Sequence, residues 1–194
     1  LPWVSRAALK LLHALDSFDL DPAGLTAWDL GASTGGFTEV LLARGAAQVV
    51  AIDVGHGQLH PRLANDARVL ALERINVRTL PQGVPTGVPA PGFLTADLSF
   101  ISLVKALPAA LALAGPQSKL VALVKPQFEV GRRGIGRSGL VRDATAREAA
   151  LERVCRFIDA AGWHVLGCTD SPIAGGDGNR EFLLAAMRRQ APVG

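Results

Sequence analysis

A lysine and two acids stand at the ends of apolar runs, where an α/β protein places its reactive groups. Lys125 directly follows the apolar run 120–124, Asp97 ends another run, and Glu181 begins the last one. Ligands of open α/β sheets lie outside the carboxyl ends of the strands, so these side chains are predicted to share one edge. Apolar surroundings favour a neutral lysine amine, which can act as a general base oriented by carboxylates. A structural ion pair is the alternative for Lys125.

A small-residue turn after the apolar run 25–30 predicts a βαβ unit that binds a nucleoside-bearing cofactor. Glycines let the backbone approach a ligand, and an acid ending the second strand can hold ribose hydroxyls. The turn is neither G-x-G-x-x-G nor the phosphate-gripping G-x-x-x-x-G-K-[ST]. It therefore favours S-adenosylmethionine, whose adenosine carries no phosphate. The predicted cofactor residues are Gly31, Ala32, Ser33, Thr34, Gly35, Gly36, Asp53, Val54 and Asp97. An ordinary tight turn, and a helix N-cap for Asp53, are the alternatives.

The segment 126–142 is rich in glycine and arginine and is predicted to contact RNA. Long loops inside compact domains are usually functional or mobile. Arginines on a flexible backbone suit contacts with RNA phosphates. The residues predicted to bind RNA are one arginine of the first helix and four of this segment: Arg6, Arg132, Arg133, Arg137 and Arg142. A solvated loop is the alternative.

The elements that position these residues alternate between strand and helix. Strands are predicted at 25–30, 48–53, 68–72, 93–97, 119–124, 163–169 and 181–188, and helices at 5–17, 36–44, 59–65, 103–113 and 145–161. This alternation gives a mostly parallel sheet with helices on both faces. The final two strands, joined only by a loop, should pair antiparallel. The prediction is a seven-stranded α/β sheet of the Rossmann-like methyltransferase type, in a single domain over 1–194 that begins with a helical lead-in at 1–21.

Other side chains have structural explanations. Either Asp143 or a capping box of Thr145 with Glu148 is predicted to open the last helix. Phe100 could stack on a base or simply pack. A turn acid, two core tryptophans and two loop histidines are interpreted as structural: Asp29, Trp28, Trp163, His56 and His60. The histidines lack partners at metal-ligand spacing, so no metal site is predicted.

Composition excludes several classes of protein. Hydrophobic residues make up 49% of the chain and charged residues 19%, with net charge +3 and pI about 9.3. These values fit an ordinary globular domain and permit an acidic partner such as RNA. No apolar run reaches the ~20 residues that span a bilayer. Cys155 and Cys168 are predicted to be buried free thiols in a reducing, cytoplasmic compartment. No signal peptide is visible, and the start at Leu1 without methionine predicts a fragment.

Six motifs resemble, in their order, those of one known family. They are V-S-R-x-x-x-K-L, D-L-G-A-S-T-G-G-F-T, A-I-D-V-G-H-G-Q-L, D-L-S-F-I-S, V-K-P-Q-F-E and G-N-R-E-F-L. Over nearly its whole length the chain is similar to TlyA-type (hemolysin A) ribosomal RNA methyltransferases, relatives of the FtsJ-type ribose 2′-O-methyltransferases.

The resemblance implies an activity and a catalytic set. The set would be Lys10, Asp97, Lys125 and Glu181, the methyl donor S-adenosylmethionine, and the acceptors cytidine 2′-hydroxyls of ribosomal RNA. Members usually carry an N-terminal S4 RNA-binding domain that these 194 residues lack, which agrees with a fragment.

Three rival functions are weighed against this interpretation. A membrane-active cytolysin, which the hemolysin name suggests, would need a spanning segment or a strongly amphipathic basic helix. An inactive Rossmann-like RNA-binding scaffold should lack some of the four polar edge residues, yet all four are present. An NAD-dependent dehydrogenase is disfavoured by the missing G-x-G-x-x-G.

Overall fold

Seven strands form one sheet in the computed structural model, which describes residues 2–190. They are β1 (Thr26–Leu30), β2 (Gln48–Ile52), β3 (Val69–Leu72), β4 (Phe93–Ala96), β5 (Lys119–Val124), β6 (Trp163–Asp170) and β7 (Phe182–Arg188). Their order is β3-β2-β1-β4-β5-β7-β6. β7 runs antiparallel between β5 and β6, whereas the pairs among β1–β5 are parallel. The predicted α/β sheet with an antiparallel last strand is confirmed. Leu1 and 191–194 of the predicted domain lie outside the described residues.

Helices cover both faces of this sheet, as predicted. They are α1 (Ala7–Ser17), α2 (Gly36–Ala43), α3 (Pro61–Ala64), α4 (Leu103–Ala106), α5 (Pro108–Leu113) and α6 (Ala144–Ala160). One buried cluster joins α1 and α2 to the sheet, and a second joins α4, α5 and α6 to its other face. Along β5, Leu120 and Ala122 enter the second cluster while Val121 and Leu123 enter the first. This alternation is why a strand covered on both faces is apolar throughout.

Strand register brings the ends of distant segments together. The antiparallel pairing of Val124 with Phe182 places the residues after β5 beside those before β7. Leu30 pairs with Ala96, so the residues after β1 and β4 are neighbours. Strand order reverses between β1 and β4, and such a switch point opens a crevice for ligands. The topology therefore fixes where a site can form.

One predicted helix is divided in the structure, and for the last helix the structure decides between the two predicted caps. The helix predicted at 103–113 is two helices, α4 and α5, with a break at Leu107 before Pro108, because proline cannot complete the helical hydrogen-bond ladder. Asp143, not the capping box, opens α6, since its Oδ1 accepts the Thr145 amide at 2.9 Å. Side-chain capping by an acid here satisfies an otherwise free helical N–H.

The segment 126–142 is partly ordered by local structure. It contains two short 3₁₀ turns, Pro126–Phe128 and Arg132–Gly134. Glu129 anchors it, because its buried carboxylate accepts the Ser102 hydroxyl at 2.6 Å and the Leu103 amide at 2.8 Å. Within residues 2–190, no helix has both the length and the apolar character that crossing a membrane requires.

Candidate functional site

Two lysine–carboxylate pairs lie at the carboxyl edge of the parallel strands. Lys125 Nζ is 2.7 Å from Asp97 Oδ1, and Lys10 Nζ donates to Glu181 Oε1 at 2.8 Å. The strand register just described produces this convergence, because Asp97 and Lys125 follow β4 and β5 while Glu181 precedes β7. The structure therefore brings together all four residues implied by the family resemblance.

The two pairs differ mainly in the burial of their carboxylates. The side chains of Lys10 and Glu181 are 9% and 2% exposed, whereas those of Lys125 and Asp97 are 11% and 22% exposed. Lys10 lies on the buried face of α1, so its ammonium holds Glu181 from behind. Removing one partner of such a buried pair leaves an uncompensated charge and costs about 3–5 kcal/mol. Lys10 lines none of the cavities described below, whereas Lys125 and Asp97 each border at least one.

A cavity of about 450 Å³ lies in front of Lys125 and is called the Lys125 cavity. The polar groups and ring that line it include Ser99, Phe100, Lys125, Gln127, Asp177 and Glu181. Ser99 Oγ accepts a hydrogen bond from Lys125 Nζ at 2.9 Å. Gln127 Nε2 donates to Glu181 Oε2 at 3.1 Å and to Asp177 Oδ2 at 3.2 Å. Its buried Oε1 has no partner among the residues described and could accept a ligand donor.

A second cavity, of about 410 Å³, lies at the switch point between β1 and β4 and is called the Gly31 cavity. Five of the predicted cofactor residues line it: Gly31, Ser33, Asp53, Val54 and Asp97. Val54 is 76% exposed and Phe100 is 90% exposed, and both border this cavity. Large exposed apolar side chains at a cavity mouth are typical of a ligand site.

The other turn residues lie elsewhere. Ala32, Thr34 and Gly36 line a smaller cavity of about 70 Å³ against the start of α1. Gly35 lines none of these three cavities. At φ +106° it precedes α2, and a Cβ there would lie 2.3 Å from Leu63 Cδ1. Gly35 therefore serves helix packing, so the structure gives no support to its predicted cofactor contact.

Asp53 braces the glycine turn. Its Oδ2 accepts the Ser33 amide at 2.7 Å and its Oδ1 accepts the Gly55 amide at 2.8 Å. The N-cap alternative for Asp53 is wrong, because His60 caps α3 by accepting the Arg62 amide. Ser33 itself has a φ of +51°, a conformation that non-glycine residues rarely adopt. Local strain of this kind accumulates at ligand-binding turns.

Sequence reasoning missed residues on both cavities. Those of the Gly31 cavity come mainly from segments after β3 and β4 and from the residues before α3: Gln58, Ile75, Asn76, Val77 and Ile101. Position after a strand was a usable signal for Asn76 and its neighbours. Gln127 lies in a short 3₁₀ turn after β5 and Asp177 lies in a loop, and neither position shows the periodicity that marks an inward-facing side chain.

Asp29 is a buried structural acid, as predicted. Its carboxylate accepts the Thr38 hydroxyl at 2.7 Å and the Thr95 hydroxyl at 3.1 Å, and it is fully buried. Burial raises the pKa of Asp29 from 3.8 to about 7, against the opposing effect of the two threonine hydrogen bonds. The group ties β1, α2 and β4 together directly beneath the glycine turn.

Replacing Asp29 by asparagine is expected to stabilise the protein increasingly as pH rises from 5 to 8. Because the folded pKa is raised, the folded state holds more protons than the unfolded state between pH ~4 and ~7. Stability is therefore lost as pH rises through that window, by up to about 4 kcal/mol for a shift from 3.8 to about 7. Urea unfolding of both proteins at pH 5 and pH 8 measures the difference. A constant difference across this range would contradict the buried acid.

The predicted RNA-binding arginines do not form one group. Arg132, Arg133 and Arg137 are exposed within 126–142 and line none of the cavities described above. Arg6 is exposed at the N-cap of α1. Arg142 instead borders a separate basic cavity, together with two arginines that sequence reasoning missed: Arg147 and Arg180.

The prediction of two buried thiols is wrong. Cys155 is half-buried and Cys168 is exposed on β6, at the edge of the sheet. Their sulfur atoms lie 3.6 Å apart as free thiols. Desolvation and the neighbouring thiol raise the pKa of Cys168 to about 12, which keeps it protonated. Trp28 and Trp163 are buried, as predicted. Residues 2–190 contain no group of three or more His, Cys, Asp or Glu side chains placed to hold a metal ion.

Comparison with known proteins identifies relatives over the whole fold. The 16S/23S rRNA (cytidine-2′-O)-methyltransferase TlyA of Mycobacterium tuberculosis is 50% identical over 183 residues, which cover 94% of this chain and 67% of that protein. A solved structure of a hemolysin candidate from Streptococcus thermophilus has a TM-score of 0.94 and 44% identity, covering 99% of this chain and 69% of that one. The chain thus spans about two thirds of the length of these relatives.

More distant similarity concerns the fold alone. A candidate S-adenosylmethionine-dependent methyltransferase of Listeria monocytogenes has a TM-score of 0.68 at 14% identity, covering 96% of this chain and all of that one.

The family model of the FtsJ-like methyltransferases matches residues 3–188. That range includes both lysine–carboxylate pairs and both cavities beside them. This chain belongs to the FtsJ-like methyltransferase family.

Proposed function

We propose that this chain transfers a methyl group from S-adenosylmethionine to a ribose 2′-hydroxyl, in cytidine of ribosomal RNA. The observation that carries the proposal is the position of the Lys125–Asp97 pair between two cavities. Asp97 borders the Gly31 cavity and Lys125 borders the Lys125 cavity, and the two cavities share a wall at Ser99 and Phe100. A methyl donor in the first and a nucleoside in the second would meet at this pair.

The Gly31 cavity fits the methyl donor by its chemistry. Asp53 directly follows β2, where an acid can accept hydrogen bonds from ribose hydroxyls. Val54, Ile75 and Val77 provide apolar walls for an adenine ring. The volume of about 410 Å³ falls within the usual range for small-molecule sites, about 300–1,000 Å³. S-adenosylmethionine, when bound, supplies an electrophilic methyl group and leaves as a neutral thioether.

Lys125 would either steer the ribose hydroxyl as an ammonium or, as a neutral amine, accept the proton that this hydroxyl loses when the methyl group is transferred. Two of the three donor positions of its ammonium group face Asp97 and Ser99, and the third is directed by them toward the Lys125 cavity. A ribose hydroxyl at that position is held in line with the methyl site beside Asp97. Positioning of this kind contributes about 7–11 kcal/mol to rate enhancement. Glu181, fixed by Lys10 and Gln127, adds a second carboxylate to the cavity wall.

Phe100 supports a nucleoside as the occupant of the Lys125 cavity. Its ring lies 5.2 Å from that of Phe128 at an interplanar angle of 53° and is 90% exposed. Its φ of +64° is unfavourable for an aromatic residue and holds the ring at the mouth of both cavities. An unstacked RNA base gains about 1–3 kcal/mol on such a platform. Of the two roles predicted for Phe100, stacking on a base agrees better with this exposure.

The proposed substrate class follows from the relatives and from charge. The Mycobacterium tuberculosis relative is named as acting on cytidine of 16S and 23S rRNA. Net charge +3 and four exposed arginines in 126–142 suit a polyanionic partner. The scaffold alternative loses support because the four polar edge residues converge. The cytolysin alternative has no comparable feature among residues 2–190.

Incubation with radiolabelled S-adenosylmethionine tests the proposal. The purified chain is expected to label 16S or 23S rRNA, or the corresponding ribosomal subunits, and nucleoside mass spectrometry should identify 2′-O-methylcytidine. Methyl groups appearing only on bases would contradict the ribose assignment. The Asp53→Ala protein tests the cofactor site, and it should require more S-adenosylmethionine for the same rate. Leakage of liposomes caused by the pure protein, without methylation of any RNA, would favour the cytolysin.

A further inference from the structure

A basic cavity of about 330 Å³ lies outside the site described above. Arg142, Arg147 and Arg180 line it together with Leu140, Gly178 and Asn179, and it is called the arginine cavity. The three arginines come from the end of segment 126–142, the first turns of α6 and the residue before Glu181. Three arginines lining one hollow give it positive charge and several N–H donors, which suit an oxyanion.

The walls of the arginine cavity are fixed by Asn179. This side chain is 2% exposed, and both ends of its amide bind the facing loop. Its Oδ1 accepts the Val141 amide at 2.9 Å, and its Nδ2 donates to the Gly139 carbonyl at 3.0 Å. Arg147 Nη1 donates to the Val141 carbonyl at 3.0 Å. Because these bonds pre-organise the cavity, less ordering is required when an anion binds.

Among residues 2–190, no carboxylate forms a salt bridge with any of the three arginines. The Asp143 carboxylate accepts a hydrogen bond from the Thr145 amide at the start of α6. Glu181, which follows Arg180, points to the buried Lys10. The arginine charges therefore remain available to a ligand from solvent.

The arginine cavity and the Lys125 cavity lie on opposite sides of the same two loop segments. Gly139 and Asp177 line the Lys125 cavity, and the next residues, Leu140 and Gly178, line the arginine cavity. A Cβ on Gly178 would lie 3.6 Å from Leu140 Cδ2, so the two loop segments touch at this point. An RNA strand with one nucleoside in the Lys125 cavity can thus reach the arginine cavity with an adjacent part of its backbone.

We infer that the arginine cavity binds a backbone phosphate of the RNA strand, next to the nucleotide that is methylated. This inference rests on the proposed function and deepens it, by assigning a phosphate site to residues outside the catalytic set. The site contributes to affinity and to the register of the strand without reading its sequence.

Direct RNA binding tests this assignment separately from methyl transfer. The double variant Arg142→Gln/Arg180→Gln and the control Arg156→Gln are compared with the unaltered chain. Arg156 is an exposed arginine further along α6. The probe is a fluorescently labelled, mixed-sequence single-stranded RNA, titrated over a range of KCl concentrations. Both altered arginines of the double variant are exposed, so melting temperatures are expected to stay unchanged.

The double variant is expected to bind RNA about tenfold or more weakly, because charge-assisted hydrogen bonds are lost. The slope of log K against log salt should fall by about 0.7 for each phosphate contact removed. The control should keep the affinity and slope of the unaltered chain within twofold. Each single variant should show part of the loss.

Several outcomes would overturn the phosphate site. One is an unchanged slope in the double variant, and another is no RNA binding by the unaltered chain at low salt. A third is displacement of the RNA by ATP or GTP at concentrations near the RNA dissociation constant, which would assign the cavity to free nucleotides. RNA binding with the expected slopes but without methyl transfer would leave the site intact and contradict the proposed function instead.

Discussion

Replacing Lys125 by alanine is expected to lower the rate of methyl transfer by about 10²–10⁴-fold, the usual contribution of a positioned acid–base group. The affinity for S-adenosylmethionine should stay within twofold of the original. Lys125 borders the Lys125 cavity and not the Gly31 cavity, so its loss removes an interaction with the acceptor and not with the donor. Single-turnover labelling of ribosomal RNA measures the rate, and calorimetry measures the cofactor affinity.

Two further variants separate the possible roles of Lys125. Lys105→Ala removes an exposed lysine of α4 and should leave the rate unchanged. Lys125→Arg keeps a positive charge near Asp97. A guanidinium stays protonated in proteins, however, and therefore cannot accept a proton. If Lys125→Arg transfers methyl groups about as slowly as Lys125→Ala, the Lys125 amine is the proton acceptor. Recovery of most of the original rate identifies a steering role instead.

A normal rate in Lys125→Ala would contradict the central role of this residue. The Lys125–Asp97 pair would then be the structural ion pair that the sequence left open as an alternative. In that case its loss should appear as lowered stability, and urea unfolding of the same variant would detect it. The catalytic role of Lys125 thus predicts a lowered rate of methyl transfer. The structural ion pair predicts a normal rate with lowered stability.

Elements of the fold could be predicted because strand and helix have different apolar periods. The run 119–124 is predicted and observed as β5, and its alternate residues divide between two cores. The antiparallel hairpin follows from the short connection before β7. The break at Leu107 is the exception, because the apolar pattern continues through Pro108 while the helical hydrogen bonds do not.

Contacts between side chains that are far apart in the sequence could not be predicted from residue types. Arg6 is exposed at the N-cap of α1, whereas Lys10, four residues further on, is buried. The partner of Lys10, Glu181, is 171 positions away along the chain. Only the packing of α1 beside β7 brings them together. For Lys10 the family pattern, and not helical periodicity, indicated a functional position.

Loop residues were missed for a different reason. Gln127 lies in a short 3₁₀ turn and Asp177 in a loop, where no periodicity marks a side chain as inward-facing. Arg147 and Arg180 resemble ordinary solvated arginines until Asn179 binds the two loops to each other. Such sites depend on loop closure, and closure is set by side-chain hydrogen bonds that the sequence does not display.

Replacing Gly31 by alanine is expected to abolish measurable binding of S-adenosylmethionine and to destabilise the protein by about 2–5 kcal/mol. The φ of Gly31 is +81°, and a Cβ there would lie 2.3 Å from the Asp97 carbonyl oxygen and 3.0 Å from Leu98 Cδ2. An added methyl group must therefore separate the ends of β1 and β4. That separation alters the Gly31 cavity at its base.

Gly24→Ala is the matched control for this substitution. Gly24 has a similar φ of +74°, but no atom lies within 4 Å of the position its Cβ would take. Backbone strain alone should cost about 1–2 kcal/mol there and leave cofactor affinity unchanged. The difference between the two variants therefore isolates the contact between Gly31 and Asp97. If Gly31→Ala binds S-adenosylmethionine normally in calorimetry, the cofactor cannot depend on the close approach of these two strand ends, and the Gly31 cavity is not its site.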